Sequence, residues 1–357
     1  MKNNNKPEYL DFNATTPVDK RVVEIMNYYF LEEFGNAGSR THIYGQNAKK
    51  AVNNSREIIA DSLNADPAEI IFTSGATESN NLALLGLQKY ANESKKKHII
   101  STQIEHKAVL EPLEYLSSIG FEVDLCPVTS GGFVDPIEIE KRLRKDTLLV
   151  SVMHSNNETG VIQPVEEISE LIFDKGVFFH VDAAQTFGKE IKEVKELKCD
   201  FLSISGHKIF GPKGVGALYA RRKDGYPAPL QPLMYGGGQE RGIRPGTLAV
   251  PLIAGLGKAT EIGVKEAEER KIRAVEKRKE VLEFLSGYEY EINGDLSRVQ
   301  EHVINVSLKD FDSEAFILML KDEIAISNGS ACTSESYKGS YVLEAMGISE
   351  DALRFSV

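Results

Sequence analysis

Ser205-Gly206-His207-Lys208 directly follows the apolar run Phe201–Ile204. In an α/β sheet, chemistry gathers at the carboxyl ends of the strands, where loops converge on a crevice. A lysine set there is desolvated and can form a Schiff base, whereas one on a helix face stays charged and idle. Alone the cluster is weak, because surface lysines far outnumber catalytic ones. A carboxylate stands one strand earlier, where the run from Val177 ends in His180-Val181-Asp182-Ala183-Ala184-Gln185. Asp182 by itself could simply cap the next helix. Beside a Schiff-base lysine it has a specific role, which is to keep a pyridine nitrogen protonated so that the ring accepts electrons from a substrate carbon. A third element is Thr73-Ser74-Gly75-Ala76-Thr77-Glu78-Ser79-Asn80, between the run Glu69–Phe72 and an apolar helical stretch. Small residues such as Ala76 and Thr77 at a helix start leave backbone N–H groups free for a phosphate, aided by the helix dipole. An ordinary N-cap is the bland alternative. In order on one scaffold, the lysine, the carboxylate and the phosphate turn point together to pyridoxal 5′-phosphate (PLP).

The three cysteines, Cys126, Cys199 and Cys332, are odd in number, far apart and form no CxxC pair. Neither a zinc site nor a disulfide framework is indicated. Cys126 and Cys199 lie near apolar runs and read as small buried hydrophobes. Cys332 is different. It sits in Ser327-Asn328-Gly329-Ser330-Ala331-Cys332-Thr333-Ser334-Glu335-Ser336, too polar and glycine-containing for a core. An exposed loop thiol can ionise and attack, and the thiolate is the working nucleophile.

These residues need elements to position them. Candidate buried strands are Glu69–Thr73, His98–Ser101, Leu148–His154, Val177–Val181, Phe201–Ser205 and Val215–Ala220. Helix-compatible segments Ser79–Ala91, His106–Ser118 and Val165–Lys175 lie between them. That alternation predicts an α/β layer with a mostly parallel sheet. From Pro251 to Gly287 the pattern becomes one long Glu- and Lys-rich helical stretch, expected as a solvated helix joining two domains. The remainder, from Tyr288 to Val357, reads as a smaller α+β unit. The chain of 357 residues is 41% hydrophobic and 27% charged, close to globular averages. Its net charge of −11 gives no electrostatic footprint for nucleic acid. The polar N-terminus lacks a signal-peptide core, and no apolar run nears the roughly 20 residues that span a bilayer. A soluble, cytoplasmic protein without membrane contact is expected.

The chain resembles the IscS/NifS type of cysteine desulfurase, class V aminotransferase-like, within the fold-type I PLP enzymes. The matching residues cover almost its whole length: Tyr9-Leu10-Asp11 with Ala14-Thr15-Thr16-Pro17, Ser74-Gly75-Ala76-Thr77-Glu78-Ser79, Glu105-His106-Lys107-Ala108-Val109, Met153-His154-Ser155-Asn156-Asn157-Glu158-Thr159-Gly160, Gly236-Gly237-Gly238-Gln239-Glu240-Arg241-Gly242, Arg244-Pro245-Gly246-Thr247, Gly329-Ser330-Ala331-Cys332-Thr333-Ser334 and Leu353-Arg354-Phe355-Ser356. The resemblance implies an α/β fold of the aspartate aminotransferase type. A large PLP-binding domain, residues 14–255, would hold a mostly parallel seven-stranded sheet. Residues 1–13 and 256–357 would form a small α+β domain carrying the cysteine loop.

Roles are implied residue by residue. Lys208 would hold the cofactor and move the Cα proton, Asp182 would pair with the pyridine nitrogen, and His106 would lie over the ring. Asn157 and Gln185 would bond the phenolic oxygen, with Asn157 also facing substrate. Ala76, Thr77, Ser205 and His207 would hold the phosphate, joined by Thr247 from a second subunit, which implies a homodimer. Arg354 would grip the substrate carboxylate as a bidentate fork. L-cysteine would give alanine and a persulfide on Cys332 for a sulfur-acceptor or Fe–S scaffold protein, where Cys332 could contact a transient cluster. The acceptor pathway stays open among Fe–S assembly, tRNA thiolation and DNA phosphorothioation; Phe12-Asn13 and Ser327-Asn328 resemble the last branch. Members of the family generally continue past the position of Val357 with a helical segment, and many carry proline where Gly339 stands. The rivals are a selenocysteine lyase, another fold-type I enzyme such as an aminotransferase, and a non-catalytic sulfur-relay scaffold.

Overall fold

The computed structural model describes residues 6–190, 194–309, 311–328, 339–348 and 352–357, so Cys332 lies outside the described residues. In chain order the strands are β1 (Glu8–Tyr9), β2 (Ile70–Thr73), β3 (His98–Thr102), β4 (Glu122–Cys126), β5 (Thr147–Met153), β6 (Phe178–Asp182), β7 (Phe201–Ser205), β8 (Gly216–Ala220), β9 (Tyr290–Ile292), β10 (Val303–Leu308), β11 (Ile324–Ala325) and β12 (Leu353–Ser356). The helices are α1 (Lys20–Leu31), α2 (Ile43–Ser62), α3 (Ala76–Leu85), α4 (Gln88–Ser94), α5 (Lys107–Ser118), α6 (Pro136–Arg142), α7 (Val165–Ile172), α8 (Val194–Leu197), α9 (Val250–Lys265), α10 (Ala267–Leu285), α11 (Ser313–Leu320) and α12 (Tyr341–Ala345).

A seven-stranded sheet has the order β2-β8-β7-β6-β5-β3-β4. Within it only β8 runs against its neighbours. Because side chains alternate across a strand, successive apolar residues enter two different cores. Ile70 and Phe72 pack with α2, α7 and α9, while Ile71 between them packs with α3 and α5. Ile99 and Ile100 split the same way, as do Leu149 and Val150. Both faces are therefore covered, which is why these runs show no polar alternation. At roughly 1.5–3 kcal/mol for each fully buried aliphatic side chain, the two cores hold the sheet edge rigid.

Two elements differ from the sequence expectation. β4 is an edge strand whose residues are mostly exposed or half-buried, so it carries no apolar run to announce it. The stretch 251–287 is two helices, not one solvated one, with the change of direction at Glu266. α10 is solvated as expected, but α9 is largely buried against α1 and α2. Its glycines permit the close approach: a Cβ on Gly257 would stand 2.7 Å from the Ser55 Oγ. A second sheet, β12-β10-β9, backs onto α10 and α11, and Leu10 joins its core from the far end of the chain. Among the described residues no helix is long and apolar enough to cross a membrane.

Candidate active site

The carboxyl ends of β2, β3, β5, β6 and β7 all open on one edge of the large sheet, and every sequence-selected residue of the cofactor set on this chain leaves from it. Gly216 is paired in register with both Thr73 on β2 and Ser205 on β7. That pairing puts the turn after β2 beside the turn after β7, although the two are far apart in sequence. A Cβ at Gly216 would lie 2.7 Å from the Gly75 Cα, so only glycine lets these backbones meet. Gly75 itself has φ +152°, a conformation L side chains rarely adopt. It opens α3, whose N-terminus has no side-chain cap. Ala76, Thr77 and Ser205 therefore surround free backbone N–H groups at the positive end of a helix. His207 lies just after Ser205, its Nδ1 3.1 Å from the Thr15 Oγ1. Burial, then the charges of Lys208 and Lys213, push this ring down to about 4, so it is neutral near pH 7.

Asp182 ends β6 and is buried. Its Oδ1 accepts from the Ala184 N–H at 2.9 Å and its Oδ2 from the Asn80 side chain at 2.7 Å. These two donors hold the buried carboxylate in one orientation. His106 caps α5, its Nδ1 accepting from the Ala108 N–H at 3.0 Å, which assigns the neutral ring's proton to Nε2. Burial lowers its proton affinity most; Asp182 opposes this, while Lys208 and Lys107 add to it. Lys208, His106 and Asp182 are thus one electrostatic group. The Lys208 amine donates to the main-chain oxygens of Asn13 and of Ala14, the latter at 3.0 Å.

Arg354 lies on β12, between Leu353 and Phe355 of the smaller core. Its guanidinium donates to the Asn157 carbonyl at 3.0 Å and to Asp11 Oδ1 at 2.5 Å. Sheet pairing and this buried ion pair fix it firmly. The Gln185 amide nitrogen donates to the Asn13 carbonyl at 3.1 Å. Thr247 is solvent-exposed, while Arg244 three residues before it pairs with Glu78, next to Thr77. Cys126 and Cys199 are buried and free, as the sequence suggested. Burial pushes the Cys126 thiol up to about 11 and raises that of Cys199 as well, so neither supplies thiolate near neutrality.

The family model described as Aminotransferase class-V matches residues 8–357. The chain belongs to the aminotransferase class-V family. It is 47% identical to the cysteine desulfurase IscS of Vibrio cholerae over 354 residues, covering 98% of this chain and 87% of that protein. The mitochondrial cysteine desulfurase of Arthroderma benhamiae is also 47% identical, covering 100% of this chain and 71% of its own length. Among solved structures, DndA from Streptomyces lividans is 47% identical with a TM-score of 0.84, covering 96% of this chain and 97% of that one. SspA in complex with cysteine is 39% identical with a TM-score of 0.89, covering 98% of each chain.

Class-V aminotransferases depend on PLP, and the residues fit that group. Asn157 Oδ1 and Gln185 Oε1 are buried without a hydrogen-bond partner. The Asn157 amide head can turn to offer its nitrogen, while Gln185, held through its nitrogen on the Asn13 carbonyl, presents its oxygen to a donor of a bound group. The uncapped start of α3 suits a phosphate, and the doubly held Asp182 carboxylate suits a protonated ring nitrogen. Several contributors carried no signal of their own in the motifs. Asn80 orients Asp182, Asp11 holds Arg354, and Asn13 touches five neighbours. Asn80 and Asp11 sat inside quoted motifs, but their partners lie at the far ends of other elements, beyond the reach of spacing arguments.

Proposed function

We propose that this chain is a PLP-dependent cysteine desulfurase, which takes sulfur from L-cysteine, releases L-alanine and holds the sulfur as a persulfide on Cys332. The observation that carries the reading is the meeting of Lys208, Asp182 and His106 at one strand edge beside an uncapped helix start. PLP, when bound, supplies an electron sink for bonds broken at the substrate Cα. Ala76, Thr77, Ser205 and His207 hold its phosphate, Asp182 its ring nitrogen, and Asn157 and Gln185 its phenolic oxygen. Lys208 would hold the cofactor and take the Cα proton, and His106 would help pass protons. Arg354 grips the substrate carboxylate. The Cys332 thiolate attacks the substrate sulfur; an S–S bond forms, the Cβ–S bond breaks with its pair going to carbon, and alanine leaves after protonation. The relatives named cysteine desulfurase support this chemistry, as does the related structure that holds cysteine.

The same reading makes the protein a cytoplasmic homodimer, with Thr247 completing the partner's phosphate site, and divides the chain into residues 14–255 and a smaller unit of 1–13 with 256–357. The parallel pairing of β1 with β11 and the packing of Leu10 beside Phe355 support joining the N-terminal residues to the smaller unit, while α9 runs unbroken past 255 with Ala259 and Ile262 in the large core, which moves that boundary to the end of α9. The sulfur acceptor is a partner protein serving Fe–S assembly, tRNA thiolation or DNA phosphorothioation, which capture from native extract separates. Two variants test the chemistry. Lys208→Ala should lose the yellow colour of the lysine-bound cofactor and all turnover. Cys332→Ser should keep the colour and cysteine binding yet release no alanine, because a hydroxyl is not ionised near pH 7. After brief exposure to cysteine, mass spectrometry should find one added sulfur on the Cys332 peptide and none on those of Cys126 or Cys199. Undiminished turnover in either variant overturns the assignment.

A further inference from the structure

Asn13 is 1% exposed, and each of its four polar groups has a partner. Its backbone N–H donates to the Ser356 Oγ at 2.8 Å, on the strand that carries Arg354. Its carbonyl accepts from the Gln185 amide and from the Lys208 amine. Its Nδ2 donates at 3.1 Å to the Asn157 carbonyl, the oxygen that also receives Arg354. Its Oδ1 lies 3.1 Å from His302 Nε2.

Hydrogen-bond accounting leaves one orientation for this residue. The Asn157 carbonyl can only accept, so Nδ2 must face it and Oδ1 must face His302. Oδ1 can only accept in turn, so it calls for the His302 proton on Nε2; the Lys189 Nζ, 3.4 Å from the same nitrogen, then faces it as a neutral amine, which burial allows by lowering that lysine to about 7. Burial, then the charges of Lys189 and Arg278, hold that ring well below the ordinary histidine range and hence neutral, with a single N–H to give. His302 therefore fixes the Asn13 amide, and the amide fixes the backbone turn beneath Lys208. The carbonyls of Asn13 and Ala14 are aimed at one amine. Such a pair gives Lys208 a defined seat whenever its nitrogen is not bonded to another group.

We propose that Asn13 is a positioning residue for the desulfurase reaction: it seats the Lys208 amine and braces the Asn157 carbonyl that supports Arg354, with His302 holding it in register. The proposal rests on the function assigned above. It links the two ends of the substrate, since one buried residue receives the proton acceptor at Cα on its backbone carbonyl and braces the carboxylate clamp through its side chain. Nothing in it requires Asn13 to touch substrate.

The test uses the full-length holoenzyme with three variants. Asn13→Ala deletes both side-chain bonds. His302→Leu removes the donor to Oδ1, and His302→Gln retains an amide N–H in its place. Losing a buried hydrogen bond of this kind costs roughly tenfold in the quantity it supports. Asn13→Ala should therefore lower kcat about tenfold through Lys208 and raise KM for cysteine severalfold through Arg354. Because the backbone carbonyl that receives Gln185 is then no longer braced by the side chain, the PLP dissociation constant measured by equilibrium dialysis should also rise severalfold. His302→Leu should reproduce these changes, and His302→Gln should restore most of them. Wild-type kcat, KM and PLP affinity in Asn13→Ala overturn the proposal. Equal damage from His302→Gln and His302→Leu overturns it too, because bulk rather than the N–H would then matter. A wild-type enzyme that makes no alanine from cysteine instead removes the function on which the proposal stands, and the two failures are told apart by that one assay.

Discussion

Glu105, one residue before His106, is fully buried, its Oε1 accepting from the Thr102 hydroxyl at 2.7 Å and the Met153 N–H at 2.9 Å. Burial raises its pKa to about 8, with the nearby Asp182 adding to the shift and the two hydrogen bonds opposing it. At neutral pH Glu105 is therefore a neutral acid. The same shift makes a stability prediction. The unfolded chain releases this proton near pH 4.5 while the folded chain keeps it to about 8. The unfolded state therefore gains on the folded one as pH rises across that window, and the stabilising contribution present below it is gone above it. Glu105→Gln, which is neutral throughout, should flatten the fall in Tm between pH 4.5 and 8 measured by calorimetry. An unchanged slope would mean that Glu105 is ionised in the fold. None of this was legible in the sequence, where Glu105 was one letter of a motif whose visible member was His106.

At the scale of elements, the loop that carries Thr247 is pinned from a distance. Glu240 and Arg241 both have left-handed backbone conformations, with φ of +46° and +59°. Non-glycine residues hold such angles only when their surroundings over-determine them. Here the buried Glu240 carboxylate meets the Arg56 guanidinium at 2.5 and 2.8 Å and accepts the Phe72 N–H at 2.8 Å. The loop is thereby fixed to α2 and β2, the strand that leads into the phosphate turn. Removing one partner of a buried pair leaves the other uncompensated, which costs about 3–5 kcal/mol. Glu240→Ala should therefore lower Tm by several degrees and weaken PLP retention on gel filtration. A variant as stable as the wild type would show that other contacts hold the loop. The glycine-rich motif around Glu240 was visible in the sequence, but its anchor was not, because Arg56 lies 184 residues away on a different helix. Strands buried on both faces were legible for the opposite reason: each carries its whole signal locally, as Phe201–Ser205 does. β4 and α9 escaped because an edge strand needs no apolar run, and a glycine-rich helix buried against two others lacks a clean amphipathic stripe.

At the scale of the whole molecule, the phosphate site is incomplete on one chain if Thr247 serves its partner. Thr247 is exposed, and its loop is anchored to the helix that opens at the phosphate turn through Arg244 and Glu78. Large apolar side chains such as Phe34, Ile43 and Tyr235 stand open on the single chain, the last 90% exposed. Open surface of that kind marks an interaction face. The composite site has a signature that no monomeric arrangement shares. Lys208→Ala has no working site, and Thr247→Ala weakens every site when PLP is limiting. In a mixed dimer of the two, one site collects both defects and the other collects neither. Random exchange makes half of all dimers mixed, so complementary sites restore about a quarter of wild-type activity to two impaired preparations. The measurement is alanine release after co-refolding or exchange at limiting PLP, with light scattering to verify dimers. If each Thr247 instead served its own chain, mixing would rebuild no site, and activity would stay at the average of the two variants. That outcome, or full activity in a monomer, would place every phosphate contact within one subunit.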